Sequence, residues 1–509
     1  MKASKIFLFI LSVIFILGVV WAIFPQGGIE VGGTTLRFAS YEEAASGINE
    51  EVVDVDKVLS DVEQSFSMLS GSQQDTLRYF RNFLKYNPNR IWLPNDDYTY
   101  LDDLFHLFES AKKENKTYRI MHYGDSQIEM DRISSIIREH LQGIFGGNGN
   151  GLVPAIQSVA TYSLVQSASG ALTRYTLIGD STTVRADHNR YGVMTQLSQL
   201  SGEASITFRV SKNSNCQERA KKFSKVALLV GNTSPGFKAS LRCDTIRTQN
   251  KVLKNAVNGV SLLTWELPAY ASRGTITLSG SGEIYGFLMD GKNGIALDNA
   301  PLRGSSGTIF TRMSKSVMKQ SFDLLDTRMI ILQFGGNSAV SIRNEKQISA
   351  YLRKLENQID YFHEVAPEAQ VLFIGPSDMG RSVEGRVATI PMLPALNDSL
   401  KVMALSKGAA YWDLFNMMGG ENSMVRWVKH SPALASSDYI HFTTKGAEHV
   451  GMAFARAFEV CYNFYKLRKE LDPEMVSAYM SSQDSTEVPF ADTKESDINM
   501  VSEGELGRE

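Results

Sequence analysis

The pattern of apolar positions divides the chain into strand-like and helical regions. Continuous apolar runs at Tyr118–Tyr123, Met329–Phe334 and Val371–Gly375 predict strands that are buried on both faces. Between them, apolar residues recur at helical spacing, as in residues 133–141 and 347–363. Strands that alternate with helices favour a doubly wound parallel sheet, so we expect an α/β fold.

A second pattern interrupts the first between residues 152 and 289. Helical spacing disappears there, and short β-rich runs separated by Gly, Ser and Asn take its place: Ile206–Val210, Lys225–Val230, Gly274–Gly280 and Glu283–Met289. Such runs are typical of a β-sandwich or jelly roll. We therefore predict an inserted β-sandwich domain at 152–289, inside an α/β domain at 100–151 and 290–470.

The amino-terminal region has the composition of a membrane anchor. Ile6–Phe24 is a run of 19 uncharged, mostly apolar residues, long enough to span a bilayer. Lys2 and Lys5 precede it and the first charge after it is Glu30, which predicts a cytoplasmic amino terminus and a domain outside. We assign 1–26 to this transmembrane anchor; a cleaved signal peptide, which would make the protein secreted, is the alternative.

Two further segments have no predicted catalytic role. Residues 27–99 are expected to form a spacer and a helical prelude. The carboxyl end, 471–509, is predicted to be a disordered acidic tail, since from Val476 onward eight Asp and Glu stand against Lys494 and Arg508.

Composition excludes some classes of function. A net charge of −3 gives no basis for nucleic-acid binding, and three cysteines provide neither a disulfide framework nor a CxxC metal motif. Cys216 and Cys243 could pair in an oxidising compartment, whereas Cys461 lies in an apolar helix and is expected to be a buried thiol.

The stretch with the clearest chemistry is Gly124-Asp125-Ser126, which follows the first strand. A serine in such a turn lies at the carboxyl edge of the sheet, where open α/β folds bind ligands. The turn is predicted to open a helix, whose free N–H groups would favour negative charge. Ser126 is thus a candidate nucleophile; alternatively, Asp125 or Ser126 only caps the helix.

Two later motifs complete the set of groups that a serine nucleophile needs. Asn337 follows Gly335 and Gly336 at the end of an apolar strand, and Asp438 and His441 stand three apart before a helix. In this order the chain resembles the SGNH (GDSL-type) hydrolase family: Gly124-Asp125-Ser126 matches the first block, Gly335-x-Asn337 the third and Asp438-x-x-His441 the last. Gly304 fits the second block. Gln127 stands where leucine is usual, and Ser338 where aspartate is usual.

The resemblance implies a set of roles. Ser126 would be the nucleophile, His441 the general base and Asp438 its orienting carboxylate, while the oxyanion hole would be formed by Ser126, Gly304 and Asn337. His122, Gln127 and His188 are further candidates for substrate contact. No metal and no cofactor is expected.

The β insert makes the arrangement resemble bacterial peptidoglycan O-acetylesterases, whose SGNH domain carries a carbohydrate-binding-like module. That likeness implies a membrane-anchored serine esterase facing the periplasm or cell exterior, with acylated polysaccharide or peptidoglycan as substrate. Lipase or lysophospholipase activity and acyl transfer to sugar remain alternatives on the same fold. A non-catalytic glycan-binding scaffold is the alternative from another class, although it would have no need of all four groups.

Overall fold

The computed structural model describes residues 12–13, 29–31, 34–36, 73–179, 183–383 and 386–481. The strands are β1 (Ile29–Val31), β2 (Thr34–Leu36), β3 (Ile91–Trp92), β4 (Thr117–Gly124), β5 (Gly151–Val153), β6 (Leu164–Thr176), β7 (Gln196–Val210), β8 (Phe223–Thr233), β9 (Phe237–Cys243), β10 (Ile246–Leu253), β11 (Val257–Ala271), β12 (Arg273–Asp290), β13 (Gly294–Pro301), β14 (Thr327–Gln333), β15 (Gln370–Ile374), β16 (Gly380–Val383), β17 (Arg386–Thr389) and β18 (Ala410–Trp412). The α-helices are α1 (Gln73–Tyr86), α2 (Asp102–Ser110), α3 (Ser134–Phe145), α4 (Lys315–Leu324), α5 (Gly336–Ala339), α6 (Glu345–Val365), α7 (Leu393–Ser406), α8 (Leu414–Met417), α9 (Ser423–Lys429), α10 (Thr444–Glu470) and α11 (Pro473–Ser481).

A six-stranded sheet in the order β13-β4-β14-β15-β18-β3 forms the centre of the α/β domain. Its first five strands are parallel, and β3 adds an antiparallel edge through Trp92 opposite Tyr411. Among the parallel strands, the chain starts at β4, moves outward to β13 and then continues on the other side of β4 with β14. Ligands in such sheets bind at this reversal, outside the carboxyl ends of the two central strands.

Both faces of this sheet are buried, as the continuous apolar runs predict. Successive residues point to opposite sides, so Ile120 belongs to one core while Met121 belongs to the other. Helices α1, α2, α3 and α10 cover the first face, and α4, α6 and α7 cover the second. The parallel α/β fold predicted from the sequence is confirmed.

The β-rich segment between the two parts of the α/β domain forms one connected eight-stranded sheet. The first half of β12 pairs with β7 and β9, and its second half pairs with β8 and β5. β12 therefore connects two parts of this sheet, one with β7 and β9 and the other with β8 and β5. The insert has an apolar core of its own, in which Ile206, Leu228 and Phe287 are fully buried.

The insert packs firmly against the α/β domain. Leu152, Val193 and Leu229 of the insert share one apolar core with Met121 of β4. At the same junction, Arg119 of β4 makes buried ion pairs with Asp290, the last residue of β12, and with Asp298 of β13. These contacts hold the insert against β4 and β13.

Several predicted elements differ from the structure. The two predicted strands Gly274–Gly280 and Glu283–Met289 are one strand, β12, because pairing with β7 continues through Gly280 opposite Gly202 as far as Ile284. The sequence of Ala409–Phe415 also predicts a strand, but the observed strand β18 is only three residues long, since the Asp413 side chain accepts from the Asn416 N–H and starts α8.

The predicted anchor and the predicted tail lie mostly outside the described residues. Apart from Ser12 and Val13, the predicted anchor Ile6–Phe24 lies outside the described residues. Within the described ranges, no helix combines the length and the apolar composition needed to cross a bilayer. The predicted disordered tail begins with α11, which is ordered because Val476 and Met480 lie one helical turn apart and are both buried. The tail beyond Ser481 lies outside the described residues.

Candidate active site

Ser126 lies immediately after the central strand β4. The carboxyl side chain of Asp125 accepts a hydrogen bond from the Gln127 N–H at 2.9 Å, which starts a short 3₁₀ segment at Ser126. This segment is interrupted at Glu129 and Met130, and the α-helix begins only at Ser134. The prediction that an α-helix opens directly at Ser126 is therefore wrong. The first N–H of the 3₁₀ segment, that of Ser126, still has no partner inside the segment.

Ser126, His441 and Asp438 form a continuous chain of hydrogen bonds. Ser126 Oγ lies 2.9 Å from His441 Nε2, and His441 Nδ1 lies 2.7 Å from Asp438 Oδ2. A carboxylate can only accept, so the proton stands on Nδ1 and Nε2 is free to accept from the serine hydroxyl. This is the tautomer in which the imidazole can act as a general base.

The loop that carries His441 wraps around the Asp438 carboxylate. Asp438 Oδ1 accepts from the backbone N–H groups of Ile440 and His441, at 2.9 and 3.0 Å. Partial burial would raise the pKa of Asp438, but its hydrogen bonds with the His441 side chain and with these two N–H groups lower it below its usual value. The carboxylate is thus kept ionised beside the imidazole.

Gly304 and Asn337 lie in the same cleft as Ser126. Gly304 has φ of +73°, a conformation in which any side chain is strained. Asn337 lies at the start of α5, which follows β14. The structure thus brings together all five residues that the resemblance assigns to the triad and the oxyanion hole.

The side-chain amide of Asn337 already donates two hydrogen bonds within the protein. Its Nδ2 donates to Asp125 Oδ2 at 2.9 Å and to the Ser305 carbonyl at 3.0 Å. Asp125 is almost fully buried, and this burial raises the pKa of its carboxyl to about 6 despite the bonds from Gln127 and Asn337. For Asn337 to contact an oxyanion, one of its two N–H bonds must turn toward the cleft.

Two residues hold the histidine loop against the nucleophile turn. Gln127 Nε2 donates to the Ile440 carbonyl at 2.7 Å. Arg132 donates from Nη2 to the Ser126 carbonyl at 2.7 Å and from Nη1 to the Phe442 carbonyl at 3.1 Å. The sequence indicated Gln127 only as a substrate contact and did not indicate Arg132, because bonds to distant backbone carbonyls leave no motif.

His122 and His188 lie away from the reacting groups. His122 is fully buried behind the cleft, where Nε2 contacts Gln333 Oε1 at 3.1 Å, and burial lowers its pKa to about 4. His188 lies in the insert, 3.2 Å from the buried carboxylate of Glu283. Neither lines the cleft, so a direct substrate contact has no support in their placement.

The cleft around Ser126 has a volume of about 310 Å³, near the lower end of the range for small-molecule sites. Its walls include Phe334, Val340, Pro376 and Met379, which are apolar. Within the part of the chain that the structure describes, no group of three or more His, Cys, Asp or Glu side chains is arranged to hold a metal ion. Cys216, Cys243 and Cys461 are free thiols.

The strand order, the interrupting β module and the serine, glycine, asparagine and histidine at the sheet edge define an SGNH-type fold. Among solved structures, the chain is similar to a protein described as a peptidoglycan O-acetylesterase in action, with a TM-score of 0.55 and 17% identity over 72% of this chain and 96% of that one. The predicted resemblance is thereby confirmed as a likeness of fold.

Other similarities are weaker. A GDSL-like lipase from Parabacteroides merdae has a TM-score of 0.26 and 13% identity over 33% of this chain and 74% of that one. A family two carbohydrate esterase from Cellvibrio japonicus has a TM-score of 0.22 and 7% identity over 61% of this chain and all of that one. No family model matches the sequence, and no curated protein matches it.

Proposed function

We propose that the protein is a serine esterase that removes O-acetyl or other short acyl groups from cell-wall or surface polysaccharide. The observation that carries this proposal is a continuous chain of hydrogen bonds at the edge of an open cleft. In it, Ser126 Oγ lies 2.9 Å from His441 Nε2, and His441 Nδ1 lies 2.7 Å from Asp438 Oδ2. A protein that only bound glycans would have no use for this chain of hydrogen bonds.

In the first half of the reaction, Ser126 Oγ attacks the acyl carbonyl carbon and His441 Nε2 takes the hydroxyl proton. Negative charge then develops on the carbonyl oxygen, which faces the N–H groups of Ser126 and Gly304 and the Asn337 amide. As the intermediate collapses, the bond between the acyl carbon and the sugar oxygen breaks. His441 gives its proton to that oxygen, and the acyl group remains on Ser126.

In the second half, water attacks the acyl-serine carbonyl while His441 takes a proton from it. Collapse of the second intermediate breaks the bond to Ser126 Oγ, His441 returns the proton to the serine, and the carboxylic acid leaves. Asp438 accepts from Nδ1 throughout and stabilises the imidazolium that forms twice per turnover. The hydrolysis needs no electron transfer.

The size of the cleft supports a short acyl group. Its volume of about 310 Å³ leaves room for an acetyl group with part of one sugar. The similar protein of known structure is described as a peptidoglycan O-acetylesterase, which points to the same substrate class.

An extracytoplasmic location belongs to the same proposal. It is supported by the uncharged run Ile6–Phe24, with Lys2 and Lys5 before it and the first following charge at Glu30. The enzyme would then be anchored in the membrane and face the wall or surface polymer. Membrane fractionation of the full-length chain, with high-salt washes, tests the anchor directly. A soluble chain that begins after Phe24 would contradict the anchor and would mean that the protein is secreted.

The activity is tested with three substrates: acetylated polysaccharide, p-nitrophenyl acetate and p-nitrophenyl esters of long fatty acids. We expect hydrolysis of the first two and little of the third. Ser126→Ala should lower the turnover number by roughly 10⁴–10⁶-fold without loss of the folded state. Ser349→Ala, which removes an exposed hydroxyl on α6, is the matched control and should retain full activity.

Each other outcome has a defined meaning. Preference for long acyl chains would make the protein a lipase, and acylated sugar formed from an added sugar acceptor would make it a transferase. Near-normal activity of Ser126→Ala on all three substrates would remove the basis of the proposal.

A further inference from the structure

A second groove lies between the insert and the α/β domain. Its volume is about 690 Å³, more than twice that of the catalytic cleft. One wall comes from β6 and from residues 154–161 of the insert; the other comes from the 3₁₀ segment after Ser126 and from the end of β13. Arg303 and Gly304 line both cavities, so the groove opens beside the predicted oxyanion hole.

The acidic side chains that line the groove form ion pairs with arginines. Asp131 makes a two-pronged bond with Arg138 at 2.8 and 2.9 Å, so both charges are balanced within the protein. Glu129, with 6% of its side chain exposed, accepts from Arg303 at 2.6 Å. Among the described residues, the two carboxylates that line the groove are thus already paired with arginines.

Arg174 is the third arginine of the groove, and it differs from the other two. It is half-buried on β6, and its Nε donates to Gln196 Oε1 at 2.6 Å. No carboxylate among the described residues bonds its guanidinium. Burial lowers the pKa of its guanidinium. A half-buried cation without a counterion is costly unless a bound anion replaces the lost water.

Arg303 supplies a second cation at the mouth of the groove. Its side chain is 72% exposed, and Glu129 bonds its Nε and Nη2, so Nη1 remains for a ligand. A guanidinium presents five donors in a planar fork, which suits a carboxylate or a phosphodiester on a sugar. Hydroxyl and amide side chains that line the same groove, among them Ser158, Thr161 and Gln196, can bond sugar hydroxyls.

We propose that this groove binds an anionic sugar residue of the polymer that carries the acyl group, with Arg174 and Arg303 contacting its negative substituent. The proposal rests on the esterase function and names its substrate class: an acylated glycan with anionic residues next to the ester. Because the groove meets the cleft at Gly304, binding there would place the neighbouring acylated sugar at Ser126.

The test measures binding separately from catalysis. Full-length Ser126→Ala protein is titrated calorimetrically with acyl-free glycans in matched pairs: oligogalacturonate against its methyl ester, muramic-acid-containing glycan strands against carboxyl-reduced strands, and a phosphodiester-linked glycan against its dephosphorylated form. We expect at least one anionic member to bind about tenfold or more tightly than its neutral partner. The pair that shows the difference identifies the substituent.

Three variants assign the effect to the groove. Arg174→Gln should weaken binding of the anionic glycan by about 10–100-fold and leave the neutral one unchanged. Arg303→Gln should weaken it as well, since it also leaves Glu129 without its cation. Arg247→Gln, at an exposed arginine of β10 outside the groove, is the matched control and should bind normally.

The outcomes separate this proposal from the esterase function. Equal binding within all three pairs, or equal effects of Arg174→Gln and Arg247→Gln, overturns the groove assignment even if the wild-type protein hydrolyses p-nitrophenyl acetate. If the wild-type protein instead fails to hydrolyse that ester while the anionic glycan binds through Arg174, the esterase function fails and the binding site remains.

Discussion

The side-chain amide of Asn337 donates to the buried carboxyl group of Asp125 across a distance of 2.9 Å. Its other hydrogen bond goes to the carbonyl of Ser305 at 3.0 Å. The predicted oxyanion donor is therefore already held in place in the resting site. Because both N–H groups of this amide are engaged, one of the two bonds must be exchanged for a bond to the oxyanion during the reaction.

Asn337→Ala should lower the turnover number by about 10²–10³-fold, because the lost donor stabilises charge that exists only in the transition state. The Michaelis constant should stay within a few-fold, and steady-state kinetics with p-nitrophenyl acetate measures both. Asn250→Ala, at an exposed position on β10, is the control. An unchanged turnover number with a raised Michaelis constant would mean that Asn337 binds substrate instead.

Ionisation of Asp125 should reduce stability as the pH rises. Burial raises its folded-state pKa from 3.8 to about 6, so the folded protein holds this proton more tightly than the unfolded chain does. The stabilisation that this proton gives the folded state is lost progressively between about pH 4 and pH 6. Above pH 6, Asp125 no longer makes the free energy of unfolding depend on pH. The free-energy difference between Asp125→Asn and wild type should thus grow by roughly 2–2.5 kcal/mol in favour of the variant from pH 4 to pH 7.

Denaturant unfolding of both proteins at several pH values measures this difference. A difference in the free energy of unfolding that is the same at every pH reflects the changed hydrogen bonds to Gln127 and Asn337. Only the part of the difference that varies with pH reports the ionisation of Asp125. Parallel stability curves over the whole range would show that Asp125 does not titrate there.

Gln127 should act by positioning His441. Its amide donates to the Ile440 carbonyl at 2.7 Å, next to the general base. Gln127→Leu, which introduces the residue usual in the SGNH hydrolases that the chain resembles, removes that donor and should lower the turnover number by about tenfold with little change in the Michaelis constant. A raised Michaelis constant at an unchanged turnover number would instead support the substrate contact predicted from the sequence.

The parts of the site that could be predicted were those with a local pattern. Ser126 and Asn337 each follow an apolar strand, and Asp438 and His441 stand three apart before a helix. The sheet that brings these segments together follows from strands and helices in alternation. Their convergence therefore depends on periodicities that are visible in the sequence.

Other features depend on tertiary contacts. The glycines and serines at 279–282 favour a break, but backbone pairing with β7 carries β12 through them. Arg132 bridges two carbonyls that are far apart in the chain, and neither carbonyl has any side-chain signature. The helix predicted at Ser126 starts at Ser134, because Asp125 caps a 3₁₀ segment first.

Covalent labelling of Ser126 tests the central claim most directly. The full-length protein is incubated with a fluorophosphonate, followed by intact-mass measurement, peptide mapping and an assay of p-nitrophenyl acetate hydrolysis. We predict one adduct per chain on Ser126, loss of activity in proportion to labelling, normal labelling of Ser349→Ala and none of Ser126→Ala. An adduct at another residue, or full activity after complete labelling of Ser126, would contradict its role as the nucleophile.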